Sequence, residues 1–354
     1  MSTTISGARR RRRMSLVGSV GLAAATALLL AACGGGGSGG SSSTTSAAAP
    51  AGGATAVPPD AVSVTAMTGQ HPLPAGKPGV GKPVVIVGDK NFAEEFLLGQ
   101  LYTQALQAKG YNVQLKPNIG GSELINTSFA SNQINMYPEY LGEIVTSVAK
   151  QPAPTSASAT YNAANQFIQT QQGTLALQTP FQDVDTIVTP SAYAQQHGLQ
   201  SVGDLGKVGP GGQGVTVAGP VEFETRQTGL VGMKQVYNLP NLGFLPAQAG
   251  SQYQALDQGS AQAADAFSTD YQLLSNKYTP LTDPKGVFGY QYVAPVIKQA
   301  TVQAQGPEFE QTLNWVSSLL TTQAIQAMNQ QVQGNGADPA AVAAQFLNAN
   351  GVNK

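Results

Sequence analysis

Residues 83–148 read PVVIVGDKNFAEEFLLGQLYTQALQAKGYNVQLKPNIGGSELINTSFASNQINMYPEYLGEIVTSV. An apolar run at 84–87 is followed by Gly88-Asp89-Lys90, and the apolar spacing from 93 to 109 predicts a helix. Lys109-Gly110 breaks that helix, and residues 111–117 alternate as a strand. Gly120-Gly121 then turns the chain into a second helix at 122–131 and a short strand at 133–137. Strand, helix, strand, helix, strand is the alternation expected of a parallel sheet with helices on its faces. Ligands of such sheets sit beyond the carboxyl ends of the strands. Lys90 and the run 137–143 fall at such ends.

Outward from this unit, residues 143–150 begin a helix, 151–159 form a Pro/Ser/Thr loop and 162–172 read as another helix. Short strands at 175–177 and 186–189 bracket PFQDVD (180–185), which reads as a crossing between two lobes. A short helix at 191–197, a strand at 215–218, helices at 228–236 and 251–257 and a strand at 261–267 follow. The chain returns at 288–293 and ends in helices at 307–320, 321–332 and 339–347, with Pro307 and Pro339 suited to first turns. The expected division is 83–182 for the first lobe, 183–289 for the second, and 290–354 for the return to the first. The class is α/β.

The chain has 354 residues, 42% hydrophobic but only 10% charged, with Gln, Ala, Gly, Ser and Thr covering the surface instead. Its formal net charge of −1 includes five arginines at 9–13; without them 13 basic side chains face 19 acidic ones. No basic patch remains for a nucleic acid. The single cysteine, Cys33, excludes an intrachain disulfide, a thiolate metal site and a cysteine nucleophile in the body.

The placement of Cys33 is informative. The basic run at 9–13 precedes an apolar run at 14–32 that ends in Leu30-Ala31-Ala32-Cys33. This resembles a bacterial lipoprotein signal peptide, which implies a lipidated Cys33 and residues 1–33 as a leader. An uncleaved N-terminal anchor is the alternative, and both export the remainder. Arg12-Arg13 before Met14-Ser15-Leu16 also admits a twin-arginine reading. Residues 34–82, rich in Gly, Ser, Ala and Pro, read as a flexible tether, with a stray strand at 62–64.

Enzyme chemistry finds no support in the sequence. His197 is the one histidine beyond the tether, and no nucleophile elbow, phosphate-loop lysine or paired metal histidines occur. GPGGQG at 209–214 lacks a lysine in register. The scattered carboxylates argue for neither a metal nor an acid/base pair, and no cofactor is expected. Two other features stand out. Arg226 is the sole arginine outside the leader; its planar fork suits a carboxylate, the alternative being a salt bridge to Glu222, Glu224 or a lobe neighbour. Tyr137, Tyr140, Tyr290, Tyr292 and Phe267 cluster at expected strand ends, where ring faces enclose a quaternary ammonium or simply pack as core.

Together GDKNFAEEFLLGQLY (88–102), GGSELINTSFASNQINMYPEYLGE (120–143), VEFETRQTG (221–229), FSTDYQL (267–273) and LTDPKGVFGYQYVAP (281–295) resemble the substrate-binding lipoproteins of osmoprotectant ABC importers. The resemblance covers the body, about 84 to 350. It implies a two-lobed, type II periplasmic-binding-protein-like fold with the ligand cleft between lobes, and capture of glycine betaine, carnitine or choline. The partners implied are a small solute, an ABC permease and its ATPase, for a monomer lipid-anchored on the extracytoplasmic face. Lys90 and Arg226 are expected near the ligand carboxylate, and Tyr140 and Tyr290 as aromatic walls. Three positions depart from the pattern: Glu143 stands for a threonine, Phe267 for a tyrosine, and Asp185 for a tyrosine wall. Asp185 points to a different small amine or a polyol, unless the segment is shifted and Phe181 supplies the wall. A ligand-sensing lipoprotein is the alternative function.

Overall fold

β1 (Val85–Gly88) lies between β2 (Val113–Lys116) and β3 (Met136–Tyr140) and runs parallel to both. The computed structural model describes residues 71–248 and 250–353, so the stray strand expected at 62–64 and Cys33 lie outside the described residues. The end of the expected tether at 34–82 belongs to the body instead, since Leu73 packs on the first core and the Gly79 N–H donates to the Lys109 carbonyl at 3.0 Å. β1 reads as an unbroken apolar run because both faces are covered: Val85 and Val87 enter one core and Ile86 packs on another. The helix Ala93–Ala108 lays Leu97, Leu98, Leu101 and Leu106 on the first core, against the helices Pro307–Leu319 and Pro339–Ala349. Gly110 turns the chain out of the helix at φ 83°, where a side chain is strained.

β3 starts three residues later than the expected strand. Asn135 is held at its approach by receiving the Ile86 N–H on its side chain (2.8 Å) and donating its own N–H to the Ile86 carbonyl (2.7 Å). Tyr140 thereby becomes the last strand residue. The expected return at 288–293 is a connection; the strand itself is β10 (Val293–Lys298), antiparallel between β3 and β4 (Gly173–Leu175). All six of its residues are buried, which removes the alternation that marks a half-exposed strand. The expected helix at 143–150 is one turn, Leu141–Glu143, continued by a wider π turn at Ile144–Val148.

A second sheet contains β5 (Asp185–Pro190), β6 (Thr216–Gly219), β7 (Gly243–Pro246), β8 (Ala263–Phe267) and β9 (Tyr278–Leu281). The two sheets follow one plan, β2-β1-β3-β10-β4 and β7-β6-β8-β5-β9. In each, three parallel strands are followed by an antiparallel fourth that has just arrived from the other sheet. The amino end of each arriving strand therefore stands beside a carboxyl end: Val293 opposite Tyr140, and Asp185 opposite Phe267. The crossings touch, with a bridge between Gln182 and Tyr292 and a hydrogen bond from Asp183 N–H to the Gln291 carbonyl at 3.1 Å. A further link comes from the helix Thr322–Asn329, where Gln326 donates to the Ser268 carbonyl at 2.9 Å.

Candidate functional site

A cavity of about 910 Å³ opens between the strand ends of the two sheets. Lys90, Tyr140, Glu143 and Tyr290 line it from the first-sheet side and the return connection; Asp185, Arg226 and Phe267 line it from the second. The seven side chains singled out through the resemblance thus line one space, whereas Tyr137 is fully buried in a core and Tyr292 packs against that core.

Lys90 stands two residues after the end of β1 and is 3% exposed. Its ammonium pairs with Glu139, lies 3.8 Å from Glu95, hydrogen-bonds Ser122 at 3.3 Å and sits 4.2 Å from the Tyr140 ring centroid. Burial pulls the Lys90 pKa down, but Glu139, Glu95 and Glu143 outweigh it and lift the group above its usual value. It is a charged floor to the cleft whose own partners come from the protein. The Tyr140 hydroxyl donates to Glu94 at 2.7 Å; burial and that carboxylate keep it a neutral phenol. Phe92 extends the aromatic surface, its ring centroid 6.1 Å from that of Tyr140.

Glu143 and Gln291 hold each other: the Glu143 N–H donates to the Gln291 side chain at 3.1 Å, and Gln291 Nε2 returns a bond at 3.2 Å. Tyr290 reaches the loop before the helix Ala157–Thr170, donating to the Thr155 carbonyl at 3.3 Å. Phe267 ends β8 and is 38% exposed. Arg226 follows the short helix Val221–Thr225 and is exposed; among the described residues it makes no ion pair, so neither Glu222 nor Glu224 engages it.

Asp185 lines the cavity, whereas Phe181 is fully buried in the first core. Burial raises the Asp185 carboxyl to about 6; the Arg226 charge opposes that rise and Glu143 adds to it.

Several site residues escaped the sequence reading. Phe92, Glu94, Gln252 and Asn329 line the same cavity. Asp183 does too, and accepts a bond from Thr269 Oγ1 at 2.8 Å. For Glu94 a signal existed: it falls on the apolar stripe 94, 97, 98, 101, 105, where a carboxylate has to find partners. Gln252, at the start of the helix Gln252–Asp257, carries no such mark.

Residues 83–349 match the family model described as the substrate binding domain of the ABC-type glycine betaine transport system. A glycine-betaine-binding protein of Pseudomonas aeruginosa is 28% identical over 270 residues, covering 74% of this chain and 86% of that one. The glycine betaine-binding protein YehZ of Escherichia coli is 26% identical over 294 residues, covering 80% and 94%. A solved structure titled as a glycine betaine/carnitine/choline ABC transporter superposes with a TM-score of 0.70 at 20% identity, covering 76% of this chain and all of that one, and shares the two-sheet fold. The chain therefore belongs to the substrate-binding domains of the ABC-type glycine betaine transport systems, as an extracytoplasmic solute-binding component of an importer and not an enzyme.

Proposed function

We propose that this protein captures a small organic cation or zwitterion in the cleft, in the first instance a quaternary amine such as glycine betaine, carnitine or choline, and delivers it to a membrane permease. A lipid on Cys33 and the stretch between it and residue 71 hold the body near that permease. The observation that carries the reading is the pairing of ring faces, Tyr140, Phe92, Tyr290 and Phe267, with the unpaired guanidinium of Arg226 around one cavity. Ring faces attract a cation and the planar fork receives a carboxylate. Lys90 adds positive potential from below, while its contacts with Glu139 and Glu95 leave the direct carboxylate contact to Arg226.

In this mechanism the lobes rotate about the touching crossings at 182 and 292 and close on the solute. Closure excludes water, strengthens the contacts and shifts the population toward the form that docks on the permease. The test is isothermal titration against glycine betaine, carnitine, choline, ergothioneine, putrescine and a sugar alcohol, with Arg226→Ala alongside. Zwitterion binding that falls at least about tenfold in the variant, with unchanged thermal unfolding, supports the reading. Wild-type silence across the panel overturns it. Asp185 favours a second reading, a small amine or a polyol in the same cleft.

A further inference from the structure

In and beside the second-sheet wall of the cleft, three acceptor groups have no donor among the described residues; Asp185 and Gln252 line the cavity, and Asp265 lies outside its lining. Asp265, on β8 and 3% exposed, receives no hydrogen bond, and its Oδ1 is fully enclosed. The Asp185 carboxylate receives none either. Gln252, 3% exposed and part of the cavity wall, has an enclosed Oε1 without a donor.

The register of β5 on β8 brings the two carboxylates together. Asp185 stands opposite Phe267, and Ile187 opposite Asp265, so Asp185 and Asp265 are diagonal neighbours on one face of the sheet. Gly219, ending β6, flanks Asp265; a Cβ there would lie 2.9 Å from the Asp265 Cβ, so glycine keeps that side open. The Arg226 charge acts on both acids without forming an ion pair with either.

Buried acceptors without donors are destabilising, and a buried charge more so. A trimethylammonium lowers the potential of such a pair but offers its lone pairs only methyl groups. An ammonium with N–H, or a guanidinium, satisfies both terms at once.

We propose that the solute held here carries an N–H-bearing cation, an amine or guanidinium, whose donors are received by Asp185 and whose charge is also balanced by the neighbouring Asp265, with Arg226 beside them for an anionic or hydroxyl end. This rests on the cleft being the solute site and takes the amine reading of its occupant over the quaternary one. The Gln252 oxygen supplies a further acceptor in the same wall. Binding the cation draws both carboxyls to the ionised form, so protons raised onto them by burial are released.

The test is a methylation series on constant skeletons, titrated calorimetrically into the full chain. One series runs from glycine through its mono- and dimethyl forms to glycine betaine, another from ethanolamine to choline, with putrescine and agmatine added. Affinity should fall with methylation, by about tenfold or more from the ammonium to the trimethyl member. Asp185→Asn and Asp265→Asn should each flatten that trend, with folding checked by thermal unfolding. Affinity that rises with methylation overturns the proposal while leaving solute capture standing, and needs no variant. So does amine binding that ignores both substitutions. Silence from every probe overturns the solute-capture reading and this one with it.

Discussion

The Lys90 ammonium lies 4.2 Å from the centre of the Tyr140 ring, beneath the cleft, and is shared with Glu139 and Glu95. Both carboxylates are fully buried, so Lys90 is the positive charge that permits them to remain there.

Lys90→Met should therefore act on folding before it acts on binding. Removing one member of a buried ionic cluster costs roughly 3–5 kcal/mol, because the charge left behind has no partner. Urea unfolding at pH 7 should show that loss. Part of it should return as the pH is lowered, because burial raises both carboxyls and their protonated forms no longer need a cation. A variant as stable as the parent at pH 7 would mean that the two acids are already neutral.

Asp185 gives opposite pH slopes to stability and binding. Its carboxyl is raised from 3.8 to about 6, so between those values the folded protein keeps a proton that the unfolded chain has lost. Its contribution to stability is therefore fullest below about pH 4 and declines as pH rises through 6. Asp89, also raised to about 6 by burial, adds to that slope. Asp185→Asn should be more stable than the parent at pH 7, by about 2 kcal/mol, and equal to it near pH 4. Affinity for a cationic solute should rise between pH 5 and 7 in the parent and rise less steeply in the variant. Unfolding and titration across that range check both slopes.

The first α/β unit was legible because its strand is buried on both faces and its helix carries a regular apolar stripe. The direction of β10 and β5 was not: an antiparallel fourth strand is decided by where the chain re-enters the sheet, which no local pattern records. Arg226 was legible through scarcity and Tyr140 through its position after a strand. Asp265 was invisible, since AADAF reads as an ordinary strand and only its register against β5 sets it beside Asp185. The role of Lys90 shifted for a similar reason: Glu139 and Glu95 come from different elements and meet it only in the fold.

Gly232 controls the loop that presents Arg226. A Cβ at this position would lie 2.0 Å from the Gln227 carbonyl oxygen and 2.8 Å from Val287 Cγ1, so the backbone at 226–229 would have to move. Gly232→Ala should lower stability by about 1–3 kcal/mol and weaken solute binding with it. Gly206→Ala, whose Cβ would meet only Leu239 at 3.4 Å, is the matched control and should leave binding unchanged. Thermal unfolding and calorimetry of the pair separate a local displacement from a general cost of adding a methyl group.

Asn329 ties the C-terminal helices to the second sheet. Its Nδ2 donates to Glu94 at 2.8 Å and to the Thr269 carbonyl at 3.1 Å, and Thr269 in turn donates to Asp183 in the crossing. One side chain thus joins the first-sheet core, the turn after β8 and the hinge. Asn329→Leu removes both bonds and leaves buried acceptors behind, which should cost about 1–3 kcal/mol. If the strap also restrains the lobes, the ligand-free variant should show a larger radius of gyration by small-angle X-ray scattering, returning toward the parent value when solute closes the cleft. An unchanged radius with the stability loss intact would assign Asn329 to packing alone and leave lobe movement to the two crossings and the Gln326–Ser268 link.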